Sequence, residues 1–339
     1  MKRLLAIINS RAGVGYGPSF LDDLRQKTVA LFSGQFQVTF QSAKDHREIE
    51  ESAHKFLIAD PSPAIILAGG GGGTLCAVIN GICTVSAGPK LPDQNRIVIG
   101  ALRMGSGNVL ARYFGAPADP FNGLELFAKA LEKNLIKPCC IGKYEFVDPQ
   151  GLEQVRYAAT LAGFGFFGRV PGMLSRFHSR NPGLYRMLVK IAGIEKMTSF
   201  EYAGSLLIQG IQYLFGINHP DQIFLTVQRE REISIKLFAG AVMNFPIKSL
   251  PFDVTVSVSD ETVEVFFLPL KAKRRLIRYL VRLSLMKADL LKYSLAPGDT
   301  LRITVSDQTP VEFFLDEDSF FFQKQLSISP AGLLHFIRI

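Results

Sequence analysis

The chain of 339 residues is long enough for about two domains, at roughly 150 residues each. With 47% hydrophobic and 20% charged residues it reads as an ordinary globular protein, which argues against a disordered or fibrous chain. An excess of 38 Lys or Arg over 30 Asp or Glu gives +8 and favours an anionic partner; with no repeat, low-complexity tract or recognition motif, nucleic acid is not expected to be that partner.

The start, MKRLLAIINSRAG, has only Leu4 to Ile8 as an apolar core, too short for a signal peptide. Short apolar runs then alternate with helical patterns. Leu4–Ile8, Phe36–Phe40, Ala64–Ala68 and Ile97–Leu102 read as strands, and helices are expected near 18–33, 44–58, 74–87, 106–114 and 119–135. Strands spaced by such helices imply βαβ crossovers and a parallel sheet, whose ligands bind beyond the carboxyl ends of the strands. Three loops stand there: NSRAGVGYG at 9–17, the five glycines Gly69 to Gly73, and RMGSGNVLAR at 103–112. A glycine run at the mouth of a helix suits close approach of backbone N–H groups to phosphate, or simply a tight turn.

Beyond about Pro138 the texture changes to short segments rich in β-branched and aromatic residues: 144–147, 155–162, 223–228, 233–237, 255–258, 263–267, 301–305 and 311–315. Several alternate apolar with polar, as antiparallel strands with one buried face do. The expected fold is therefore an N-terminal parallel-sheet α/β domain over 1–137, followed by a C-terminal antiparallel β domain over 138–339. Helical insertions are expected near 170–198 and 271–292. The insertion at 271–292 carries eight Lys or Arg and one acid, with Arg274, Arg278 and Arg282 in one stripe beside Leu276, Leu280 and Leu283. That pattern suits a helix lying on an anionic membrane surface, a helix packed on the β domain with a solvated basic face, or a nucleic-acid contact. The uncharged stretches 61–89 and 202–218 are broken by glycines, Asn80, Gln209 and Gln212 and do not read as membrane spans. Cys76, Cys83, Cys139 and Cys140 lack metal-site spacing and read as buried, reduced thiols of a cytoplasmic protein.

Taken together, the three loops resemble the diacylglycerol kinase catalytic-domain family, which includes bacterial lipid kinases and the sphingosine and ceramide kinases. Its NPxSGxG is matched by Asn9-Ser10-Arg11-Ala12-Gly13-Val14-Gly15. Its GGDGTxxEvxNG is matched by Gly70-Gly71-Gly72-Gly73-Thr74 and Asn80-Gly81, and its PLGTxNDxAR by Arg103-Met104-Gly105-Ser106-Gly107-Asn108 through Arg112. Asp260 and the LDED at 315–318 fall where the family has a "DG" and a late DGE. The resemblance implies a nucleotide-binding α/β domain, a C-terminal β-sandwich, and ATP with Mg²⁺ donating phosphate to a lipid hydroxyl at an anionic, inner membrane surface. It places Asn9, Ser10, Gly13, Thr39, Gly70 to Gly73, Thr74, Arg103, Gly105, Ser106, Gly107 and Asn108 at the nucleotide. It places Asp260 and Asp316 at the metal, and Asp316, Glu317 and Asp318 at the chemistry. Members also continue past the equivalent of SISPAGLLHF into a closing segment that returns to the first domain, so a looser hinge is expected here.

The departures fall on acids: Gly72 replaces the Asp of GGDGT, Ala77 the following Glu, and Val109 the Asp of the third loop. Two readings stay open. Either Asp318 takes the base role, with Asp316, Glu317 and Asp260 sharing Mg²⁺, or the chain is a degenerate member that binds nucleotide or lipid without turnover. The acceptor lipid and the oligomeric state are not set by the sequence.

Overall fold

The computed structural model describes residues 2–12, 16–85, 96–105, 108–181, 183, 187, 204–206, 208–217, 219, 221–227, 233–244, 261–269, 291–305, 310–316 and 318–339. Two compact units emerge. The first comprises Met1–Ile141, Tyr157–Ala159 and Ala331–Ile339, and the second Gly142–Arg156 and Thr160–Pro330.

In the first unit, β1 (Lys2–Asn9) is flanked by β2 (Phe36–Ala43) and β3 (Ala64–Gly70), and β3 pairs with β4 (Ile97–Arg103), all parallel. Residues 3–9 of β1 and the whole of β3 are buried, the near-continuous apolar reading of strands covered on both faces. The crossovers are α1 (Pro18–Phe32), α2 (His46–Ala59), α3 (Gly72–Cys83), α4 (Val109–Tyr113) and α5 (Pro120–Glu132). From Gly73 onward α3 is buried at every position, which explains why its sequence is apolar all round and uncharged. Asp45 starts α2 by accepting from the Glu48 N–H at 2.9 Å.

The remaining strands are β5 (Ile136–Val147), β6 (Glu153–Ala158), β7 (Leu161–Gly165), β8 (Asp221–Val227), β9 (Ile233–Met243), β10 (Val263–Pro269), β11 (Leu291–Leu295), β12 (Leu301–Val305), β13 (Val311–Leu315) and β14 (Asp318–Ile337), with α6 (Val170–Arg180) after β7. Phenylalanine fills the second unit: Phe164 and Phe313 stack at 5.9 Å, and Phe146 and Phe322 meet Phe313 edge-on.

The expected fold class is corrected here. The described strands do not sort into a separate parallel-sheet α/β domain and a two-layer sandwich; fourteen strands form one mixed sheet. Within it β7, β9, β8, β12, β14 and β13 pair antiparallel in a closed ring, a barrel of six strands. Inward–outward alternation is common to sandwiches and barrels, so the strand patterns alone do not distinguish them. The second reason is β14, which runs for 20 residues through SPAG, a stretch that reads as a turn. Its last residues pair parallel with β4, His335 opposite Val98 and Phe336 opposite Ile99. The return to the first unit is thus made by β14 itself. Among the expected strands and insertions, 255–258 and 271–290 lie outside the described residues, as does most of 182–198.

Candidate functional site

The strand registers bring three loops to one edge of the first unit: Asn9 pairs with Ala43, Ile8 with Gly69, and Gly70 with Arg103. Each loop is tied to the other two. The Asn9 amide Nδ2 donates to Thr74 Oγ1 at 3.0 Å, joining the first loop to the start of α3. The Tyr16 hydroxyl donates to the Met104 carbonyl at 3.0 Å, joining the first to the third. Met104 N–H donates to the Gly70 carbonyl at 3.2 Å, joining the third to the second.

Glycine is required at two of these junctions for close packing. A Cβ on Gly105 would stand 2.2 Å from Gly71 Cα, so here two backbones pass where no side chain fits. A Cβ on Gly70 would stand 2.2 Å from Thr74 Oγ1, in the space the threonine fills. These two glycines therefore have a packing reason that owes nothing to a ligand. Gly71, by contrast, leads into α3 without a side-chain cap, which leaves the first-turn N–H groups to other acceptors at the positive end of the helix dipole.

The expected residues divide clearly. Asn9, Gly70, Gly71, Gly72, Gly73, Thr74, Arg103 and Gly105 are brought to this edge, with Arg103 half-buried as the last residue of β4. Ser10 is there too, but its hydroxyl donates to the Ala43 carbonyl at 3.1 Å and so closes the turn after β1. Asn108 sits in the left-handed region, φ 49°, with its carboxamide folded onto Gly105: Oδ1 accepts from Gly105 N at 3.0 Å and Nδ2 donates to Gly105 O. It shapes the third loop. Thr39 is not brought to the loops. β2 runs on to Ala43, so Thr39 stands exposed in mid-strand opposite Leu5. Gly13, Ser106, Gly107, Asp260, Glu317, Arg274, Arg278 and Arg282 lie outside the described residues.

Tyr16 is a site residue that sequence reasoning missed. Its ring stacks on Phe20 at 4.5 Å and burial pushes its hydroxyl pKa up, which keeps it a neutral donor. The YGPSF stretch, an aromatic pair four apart at a helix start, was the available signal.

The acids lie in the second unit. Asp316 follows β13 directly, and Leu315 pairs with Asp318 across the β13–β14 hairpin. Asp316 is buried with φ 46°, and its Oδ1 accepts from Thr160 N and Leu161 N, each at 3.0 Å, and from the Thr160 hydroxyl. A carboxylate oxygen gripped by three donors is a structural anchor for the turn before β7. Asp318 is half-buried at the first position of β14. Nearby, burial pushes the Glu312 carboxyl up against the opposing pull of Arg176 and Arg169, and burial likewise raises Asp221, although Arg169 contacts it at 2.5 Å. Among the described residues no group of three or more His, Cys, Asp or Glu is placed to hold a metal ion. With Asp316 engaged as an anchor, the described acids do not fit the Mg²⁺ site that the resemblance implies.

Among solved structures, the chain is similar to three from Bacillus anthracis str. Sterne described as diacylglycerol kinases, two of them only provisionally. Their TM-scores are 0.63, 0.58 and 0.62 at 16%, 15% and 16% identity, each covering 99% of this chain and 97% of the other. At such identity the likeness shows the fold. Residues 3–138 match the model of the diacylglycerol kinase catalytic domain, so the resemblance carried by the three loops is shown for that part of the chain. No curated protein matches the chain.

Proposed function

We propose that the chain is a lipid kinase that takes the γ-phosphate of ATP and transfers it to a lipid hydroxyl, the acceptor being diacylglycerol-like or of the sphingoid and ceramide kind. The observation that carries this reading is the mutual anchoring of three loops on one strand edge, inside the segment that matches the catalytic-domain family. Phosphoryl transfer asks a protein for positioning and charge neutralisation more than for covalent chemistry. Uncapped N–H groups at the start of α3, the Thr74 hydroxyl and the Arg103 guanidinium supply phosphate donors; Asn9 positions Thr74. Asp318 is the candidate base for the lipid hydroxyl. Mg²⁺ would arrive on the nucleotide's own phosphates, its usual carrier. A lipid acceptor requires peripheral contact with a bilayer, for which Arg274, Arg278 and Arg282 are the proposed basic stripe.

A second reading has its own support. Gly72 stands where the family carries an acid, and Asp316 is an anchor; a chain so built binds nucleotide or lipid without turnover. Labelled ATP with mixed lipid vesicles separates the two. The kinase reading expects label in lipid and a fall of about 10²-fold or more in Asp318→Asn, the usual contribution of a general base. Binding of ATP with no labelled lipid establishes the second reading instead.

A further inference from the structure

One helix of the second unit carries an exposed apolar face. Residues 204–206 and 208–214 are helical, and the stretch from Gly204 to Ile217 holds no charged residue. Two polar side chains face inward: Ser205 and Gln209, four apart, are 3% and 2% exposed, and Gln209 Nε2 donates to the Phe166 carbonyl at 2.8 Å. Leu206, Tyr213 and Leu214 pack on the core of Phe166, Phe238 and Leu268, and the other described large apolar side chains face outward. Ile208 and Ile211 are 50% and 45% exposed, and Phe215 and Ile217 reach 78% and 71%. A water-facing helix keeps that outer face polar. The tip is also held rigidly. Gly216, at φ 75°, donates to the Tyr213 carbonyl at 3.0 Å and Ile217 N–H to the Gln212 carbonyl at 2.8 Å, the paired bonds of a Schellman cap.

We propose that this apolar face, with Phe215 and Ile217 at its tip, inserts into the interfacial layer of an anionic lipid bilayer. Charge selects that occupant. From Arg169 to His219 the sequence has six Lys or Arg and two acids. α6 shares a core with this helix through Leu174 and Leu206, and on it Arg176 and Arg180 are exposed. Exposed apolar side chains amid cationic ones suit acidic headgroups over an acyl boundary, where each element has a partner. The proposal rests on the lipid-kinase reading for its purpose, because such insertion holds the chain where a lipid hydroxyl is presented, but it is tested without ATP.

The chain has no tryptophan, so Phe215→Trp introduces a single reporter at an exposed position. With vesicles rich in phosphatidylglycerol the indole emission is expected to move to the blue and be quenched by brominated acyl chains, and with neutral phosphatidylcholine to stay put. Sedimentation with the same acidic vesicles should fall about tenfold in Phe215→Glu/Ile217→Glu, two buried apolar groups being ample for that, and should not change in Ile58→Glu, an exposed position on α2. Emission already blue before lipid is added overturns the proposal in favour of a covering segment of the chain, or of a second copy if the shift grows with protein concentration. Protein that sediments while the indole stays wet docks by another face, which also overturns it. Docking without phosphate transfer would sink the kinase reading and leave this one standing; transfer without insertion does the reverse.

Discussion

Asn80 shows what a short motif does once its partners are visible. Its Nδ2 donates to the carbonyls of Cys76 and Tyr157, both at 2.8 Å, and its Oδ1 accepts from Tyr157 N–H at 2.9 Å. The buried carboxamide thus stands in for a neighbouring strand and fixes Tyr157 to α3. Asn80→Ala removes both side-chain bonds to the Tyr157 backbone, at about 0.5–1.5 kcal/mol each, while the Tyr157 carbonyl still accepts from Cys76 Sγ at 3.4 Å. The expected result is a urea midpoint lowered accordingly with an unchanged m-value, and a midpoint equal to wild type would refute the clamp. The Asn-Gly pair was legible in the sequence, but its partner lies 77 positions away and no local pattern points to it. The loops were legible because glycine runs at strand ends mark close backbone approach, whether to a ligand or to one another. Thr39 was misplaced because the polar Gln41 and Ser42 conceal the last residues of β2, an exposed strand whose alternation fades.

The hairpin β13–β14, with α6 against it, joins two kinds of acid. Asp316 is buried and enclosed by donors, whereas Glu312 is half-buried with its carboxyl raised by burial beyond what Arg176 and Arg169 offset. For Glu312 the folded value exceeds the unfolded one, so the fold favours its protonated form. Its contribution to stability is full below the ordinary carboxylate range and is lost as pH rises through the raised value. Glu312→Gln should therefore melt with the wild type near pH 3–4 and above it at neutral pH, the gap opening as pH climbs out of the usual range. Thermal melts across pH read this directly; curves that stay parallel would show that burial does not govern the group. β13 was evident from its sequence because VEFFL is short and apolar, while β14 was hidden by FQKQ and SPAG. Tertiary pairing with β12, β13 and β4 overrides those local signals.

The first unit is not a contiguous piece of chain, and that bears on what the matched segment can do alone. The family match ends at residue 138, yet the unit also contains Tyr157–Ala159 and Ala331–Ile339. Leu334, Phe336 and Ile337 are each 1% exposed, and Phe336 stacks on Phe114 at 4.9 Å. Beyond them Arg338 N–H donates to the Leu135 carbonyl at 2.9 Å and Ile339 N–H to the Phe114 carbonyl at 2.8 Å. Burying three large apolar side chains is worth about 1.5–3 kcal/mol each, so removing them takes about 5–9 kcal/mol from a fold whose whole stability is of order 5–15 kcal/mol. A chain truncated after Pro330 should consequently lose the cooperative melt of its first unit and expose the buried Phe114 to limited proteolysis, and any stabilisation by ATP should vanish with it. Residues 3–138 expressed alone should fare no better, although they carry every described loop of the proposed phosphate site. If instead the truncated chain kept a cooperative melt that ATP still raised, the last strand would be an ornament, and the site would depend on the matched segment alone.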